Sequence, residues 1–364
     1  MQALVDKIIE LAVEIQQIPA PTFAEAKRAA FVHELYLGEE LDDVETDAVG
    51  NVYGRIKGNG DAAPLIICAH LDTVFPAETD LRIARDPHLL RGPGIGDNSL
   101  GVAGMIGLLW LIRAEKLTLP GDIWLVATVG EEGIGDLNGM RAVVDRFENS
   151  PAAYLVIEGM ALGYIYHRAI GVRRYKVSAE TEGGHSWGHY GRPSAIHELA
   201  TLIDKLTAIR LPRKPRTTLN VGVFSGGFSV NTIAGEASFE LDLRSESQEK
   251  LTELVESAQK LIASANKPNL TVVAEQIGDR PAGRIPASHP LVALAEQSLM
   301  YVGIDPILTP GSTDANIPLS RGYPTVCLGI TTGEGAHTLK EFVDVRHIED
   351  GMWQLLYFVK NLWG

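Results

Sequence analysis

Gly92-Pro93-Gly94-Ile95-Gly96-Asp97-Asn98-Ser99 runs directly into the apolar segment Leu100 to Ile112, and this junction constrains the chain more than any other stretch. A glycine loop opening a helix is how phosphate-binding sites begin. In a dinucleotide site, however, the glycines follow a strand and helix N-terminal amides meet the pyrophosphate. Here the preceding residues, Leu81 to Arg91, are mixed and charged. Pro93 has no amide to donate, Asp97 puts a carboxylate where an anion would sit, and no Gly-Lys-Ser/Thr ending is present. The loop reads instead as one that holds Asp97 at the start of a buried helix.

Taken in order, the chain alternates strands and helices. Leu4, Ile8, Leu11, Ile15 and Ile18 form a helical stripe ending at Pro19 and Pro21, and a second helix runs from Ala24 to Leu37. Strands are expected at 51–57 and 64–69, the latter apolar enough to be buried on both faces and ending in His70-Leu71-Asp72. A strand at 122–129 ends in Gly130-Glu131-Glu132, and one at 153–157 ends in Glu158. Alternation of this kind predicts an α/β unit built on a mostly parallel sheet.

From about Gly171 the order becomes β-α-β-β-α-β, the ferredoxin-like pattern, through Gln276. Residues 171–280 are therefore expected to form an inserted lid or dimerisation domain. Residues 1–170 and 281–364 would form one discontinuous catalytic domain, resuming with a helix from His289, a strand at 324–329 and a closing helix from Gly351.

Composition excludes some functions. A net charge of -14, with no basic run carrying interleaved aromatics, makes nucleic acid a poor partner. Leu100 to Ile112 is shorter than the roughly 20 residues that span a bilayer, and the N-terminal 17 residues lack a signal-peptide pattern. Cys68 and Cys327, each in a short apolar run, read as packed reduced thiols of a cytoplasmic protein.

Ligands of an open α/β sheet sit beyond the carboxyl ends of its strands. Those ends carry His70, Glu131 and Glu132, Glu158 and, after a glycine turn, His337, with Asp97 joining from its loop. A lone strand-end histidine is ordinarily a surface residue, and an acid pair is ordinarily solvated. Here acids and imidazoles recur at the same end of successive strands, and a divalent cation pair would resolve their repulsion.

These residues carry a family resemblance. His70-Leu71-Asp72-Thr73, Gly96-Asp97-Asn98, Gly130-Glu131-Glu132, Glu158 and Ala336-His337-Thr338 together resemble the M20 family of dinuclear metallopeptidases, which includes glutamate carboxypeptidases, tripeptidases and aminoacylases. The likeness spans essentially the whole chain. It implies a zinc-exopeptidase-like catalytic domain in which Asp97 bridges two metals, His70 and Glu158 complete one site, and Glu132 and His337 complete the other. It also implies that Asp72 accepts a hydrogen bond from the His70 imidazole, that the Asp97–Asn98 peptide is cis, and that Glu131 is the general base. Strand alternation would send Glu131 and Glu132 to opposite sides, one to metal and one to water. In the inserted segment, Gly183-Gly184-His185 resembles a lid motif whose His supports the oxyanion, from the partner subunit. Asn231, Arg244 and the Gly311-Ser312 turn match substrate-binding positions. The motif departs from the family's pattern in lacking a Pro soon after His185 and in carrying Ser194 where Asn is common.

The implied reaction is hydrolysis of an amide bond in a small peptide or N-acyl amino acid by a metal-activated water, with cleavage from either the amino or the carboxyl end open. Zinc suits mixed imidazole and carboxylate ligands, with cobalt and manganese as alternatives. A homodimer through the lid is expected by resemblance. The competing readings are a non-peptide N-acyl amino acid deacylase, a catalytically silent binding protein on the same fold, and the nucleotide-binding oxidoreductase set aside above.

Overall fold

The computed structural model describes all 364 residues, Met1–Gly364. The chain divides into two compact units, Met1–Ala169 with Arg284–Gly364, and Ile170–Gly283.

The first unit is built on a nine-stranded sheet. Its central four strands run in the spatial order Gly121–Thr128, Ala62–His70, Ala153–Glu158, Thr325–Gly329 and are mutually parallel. Their carboxyl ends therefore lie along one edge. The Ala62–His70 strand shows why this sheet is covered on both faces: Leu65, Ile67 and Ala69 join one apolar cluster, whereas Ile66 and Cys68 join another. Against the first face pack the helices Gln2–Gln16, Leu100–Ala114, Pro290–Tyr301 and Ile348–Asn361. Against the second packs Asn138–Phe147 through Met140, Val143 and Val144.

The Leu100–Ala114 helix is apolar nearly all round, as a central helix must be. With its preceding turn it is long and apolar enough to cross a membrane, yet 89% of that window is buried inside the fold. Small residues let it pack closely. A Cβ on Gly104 would lie 2.1 Å from Ile330, and one on Gly107 would lie 2.5 Å from Ile8.

The second unit is a four-stranded antiparallel sheet in the order Thr217–Gly226, Glu236–Ser245, Gly171–Thr181, Leu270–Arg280. Helices Ala195–Thr207 and Gln248–Ser264 share its core through Leu199, Leu202, Leu206, Leu251, Leu254 and Ile262. This is the ferredoxin-like β-α-β-β-α-β arrangement. Several elements of the first unit escape sequence patterning, among them three that frame the sheet. Asp42–Thr46 is a largely exposed edge strand, Asn138–Phe147 starts at a left-handed Leu137, and Tyr164–Ala169 carries a histidine and an arginine.

Candidate metal centre and active site

His70 is the last residue of its strand, and Glu158 is the last residue of the neighbouring strand on the same carboxyl-terminal edge. Beyond Thr128 the chain leaves its strand, turns at Gly130 with φ 67°, and delivers Glu131 and Glu132. Asp97 sits in the wide turn Ile95–Ser99 between Gly94, left-handed at φ 73°, and the Leu100–Ala114 helix. The Asp97–Asn98 peptide is cis. Asn98, fully buried, ties this turn to the Glu158 strand: its Nδ2 donates to the Ile157 carbonyl at 2.8 Å and its Oδ1 accepts from Gly159 N at 2.8 Å.

Six side chains of the first unit thereby converge. Ligand atoms of His70, Asp97 and Glu158 lie within 4.8 Å of one another, as do those of Asp97, Glu132 and His337, and those of His70, Glu131 and Glu132. Asp97 is common to the first two groups. Its Oδ1 is 3.1 Å from His70 Nε2 and its Oδ2 is 3.1 Å from His337 Nε2. His337 Nε2 is also 3.1 Å from Glu132 Oε1.

The donor set fits cations. His70 Nδ1–H donates to the Asp72 carbonyl at 3.0 Å, which turns Nε2 toward the Asp97 oxygen, and two lone pairs at that separation need positive charge between them. The ionisation equilibria point the same way. Burial disfavours charge on His70, yet Asp72, Asp97 and Glu158 hold its pKa well above the imidazole range. Asp97 and Glu132 push His337 to about 10. Burial drives Glu158 well above the carboxylate range, with Asp97 and Glu131 opposing the pull of His70. Burial also acts to raise Asp97, but His337 and His70 outweigh it and hold that carboxyl well below the usual range. The cluster gathers protons to offset its carboxylates, and divalent cations would serve in their place.

Two local expectations change. The Asp72 carboxylate is 3.7 Å from the His70 imidazole, beyond hydrogen-bond distance, and the imidazole meets the main-chain oxygen instead. That carboxylate is engaged elsewhere, accepting from Glu131 N at 2.9 Å, Glu132 N at 2.8 Å and Thr22 Oγ1 at 2.9 Å. Glu131 and Glu132 also fail to alternate. Both bring a carboxylate to His70, because they come after the Gly130 turn rather than extend the strand. Buried Arg28 braces the same region, donating to the carbonyls of Leu71 at 2.7 Å and Ile18 at 2.6 Å. Arg28 does not stand out in the sequence, and the motif names Asn98 without its bracing role, since the partners of both are main-chain atoms outside their own elements.

The other expected residues belong to none of these three ligand groups. Gly311 closes the Ile307–Gly311 strand of the first unit, where a Cβ would meet the Tyr166 ring at 2.5 Å, and Ser312 comes directly after it. In the second unit His185 is exposed, and its Nδ1 accepts from Trp187 N at 3.2 Å and Gly188 N at 3.3 Å, so the ring carries its proton on Nε2. Asn231 is exposed and accepts from Ser229 Oγ at 2.6 Å. Arg244 chelates Asp242 through Nε at 2.6 Å and a terminal nitrogen at 3.1 Å, and Arg174 reaches the same carboxylate at 3.0 Å.

A parallel-sheet edge bearing a shared carboxylate between two imidazole-containing ligand groups is the donor set that metal-dependent hydrolases use. The chain belongs to peptidase family M20/M25/M40, whose model matches residues 66–361. Among relatives, a succinyl-diaminopimelate desuccinylase from Corynebacterium glutamicum is 25% identical, with 94% of this chain and 93% of that protein covered. A tripeptidase from Staphylococcus aureus shares the fold with a TM-score of 0.84 at 24% identity, covering 98% of both chains. The YXEP protein of Bacillus subtilis, a dinuclear metal-binding M20 peptidase, superposes with a TM-score of 0.69 at 16% identity, covering 99% of this chain and 98% of that one.

Proposed function

We propose that this hydrolase cleaves the amide bond of a small peptide or N-acyl amino acid carrying a free carboxylate, using two divalent cations. One observation carries the reading: the two oxygens of Asp97 face two different imidazole nitrogens, each at 3.1 Å. His70, Asp97 and Glu158 would hold one cation, and Asp97, Glu132 and His337 the other. Zinc suits this ligand chemistry, with cobalt and manganese as alternatives. Bound there, such cations acidify water and polarise a carbonyl.

The chain's own groups supply the rest. Glu131 takes a proton from the attacking water and returns it to the leaving nitrogen. Asp72 holds the Glu131 and Glu132 amides, and so fixes the base and a ligand with one carboxylate. With Nδ1 committed as an acceptor, the ring has Nε2–H to offer, and His185 of the partner subunit would donate it to the oxyanion, as the family resemblance implies. Arg244 and Asn231 would hold the substrate carboxylate, and the Gly311-Ser312 turn would serve as a substrate loop. Arg174 and Arg244 both reach the Asp242 carboxylate, which holds the Arg244 guanidinium in place.

The inserted unit leaves Trp187, Tyr190, Phe228 and Val230 almost wholly exposed, in keeping with a lid and homodimer surface. The buried free thiols Cys68 and Cys327 suit a reducing cytoplasm.

Rates on a dipeptide, a tripeptide and acetylated and succinylated amino acids separate peptidase from deacylase. Cleavage of none by the metal-loaded protein rejects the proposal. Arg244→Ala is expected to lower kcat/KM about 10- to 100-fold on free-carboxylate substrates, the scale of a charge-assisted contact. Their amidated forms should change little, and equal losses on both reject the anchoring role.

A further inference from the structure

We propose that Glu341 is a positioning residue that fixes Asp97, and that the glycine loop is an anion cradle filled by this internal carboxylate. The inference rests on the two-cation reading above and extends it to a residue outside the ligand set.

Glu341 is completely buried. Its Oε2 accepts from Gly94 N at 2.9 Å, while its Oε1 accepts from Gly96 N at 2.7 Å and from Asp97 N at 2.9 Å. Its main-chain oxygen takes the Gly92 amide at 3.0 Å. Four amides of one loop thus converge on one residue. Amides arranged around a left-handed glycine form a concavity suited to an anion, and Gly94 at φ 73° supplies that conformation. The glycine at 96 is needed as well, because a Cβ there would lie 2.7 Å from Met160 and 2.8 Å from Val343.

The cradle joins the two ligand-bearing segments. Asp97 and Glu341 are 244 residues apart in sequence, and Glu341 lies four residues beyond His337. The segment after it is held to the glycine-loop side by pairing of Phe342–Asp344 with Leu89–Arg91. A carboxylate accepting the Asp97 amide fixes the backbone from which the shared ligand projects, on the same chain segment that delivers His337. One carboxylate thereby positions the Asp97 backbone relative to the His337 segment. Outer partners that fix a ligand in this way typically change metal affinity about 10- to 100-fold.

The test titrates metal-free protein with Co(II), reading stoichiometry by calorimetry and ligand geometry by visible absorption. Wild-type protein is expected to take up two Co(II). Glu341→Gln keeps the shape but turns an amide NH₂ toward backbone donors, and is expected to weaken Co(II) binding about 10- to 100-fold with an altered spectrum. Glu341→Asp, which keeps the charge, should recover part of the affinity. A Gln variant with affinity within twofold of wild type and an unchanged spectrum overturns the inference. Wild-type protein taking up fewer than two Co(II) overturns the two-cation reading itself. Amide exchange on metal-free wild-type protein decides the matter even where the variants do not fold. Gly94, Gly96 and Asp97 amides should exchange slowly, and rates of an open loop would refute the cradle.

Discussion

Glu131→Gln is expected to lower kcat about 10²- to 10⁴-fold, the range for loss of a general acid–base group, while metal content stays at the wild-type value. The substitution keeps side-chain volume and leaves the Glu131 amide free to donate to Asp72. The basic oxygen alone is removed. The distinction from Glu132 is geometric, because Glu132 Oε1 already lies 3.1 Å from His337 Nε2 within the ligand group. Glu131 nevertheless comes close enough to His70 and Glu132 to ligate. Metal analysis of the same variant therefore separates the roles. Lost activity with metal retained assigns Glu131 as the base, lost metal makes it a ligand, and kcat within tenfold of wild type removes it from the chemistry.

Asp97→Ala should have the larger effect on metal. It takes one ligand from each of two groups at once, leaving His70 with Glu158 and Glu132 with His337. Loss of a shared ligand should exceed the roughly 10- to 100-fold cost of removing an outer partner. Elemental analysis after gel filtration is expected to find less than one equivalent, with hydrolysis abolished. The fold should survive, since Asp97 lies in a turn that Asn98 anchors independently to Ile157 and Gly159. Retention of two equivalents would show that Asp97 does not bridge.

Much of this site is legible in the sequence because parallel strands buried on both faces announce themselves as apolar runs, and the residues just past those runs gather on one edge. His70, Glu132, Glu158 and His337 are reachable in that way, and Asp97 by the glycines before it and the buried helix after it. Patterning fails where contacts are non-local or involve main-chain atoms. Glu341 sits in the polar stretch His337-Thr338-Leu339-Lys340-Glu341 and looks solvated, yet it is fully buried. The signal for it is physical: a glycine loop with several free amides requires an acceptor, and excluding an outside phosphate leaves an internal carboxylate. Asp72 reads correctly as a neighbour of His70, but its carboxylate serves the Glu131–Glu132 backbone. Strand periodicity stops at Thr128, so it could not orient Glu131 and Glu132.

The central claim is most directly tested by stripping the protein with a chelator, adding back Zn(II) in fractional equivalents, and monitoring hydrolysis of the best substrate in the panel. Activity should be absent at zero equivalents and reach its plateau at two. Full activity in the stripped protein, or a plateau at one equivalent with no second binding event, would contradict the two-cation account.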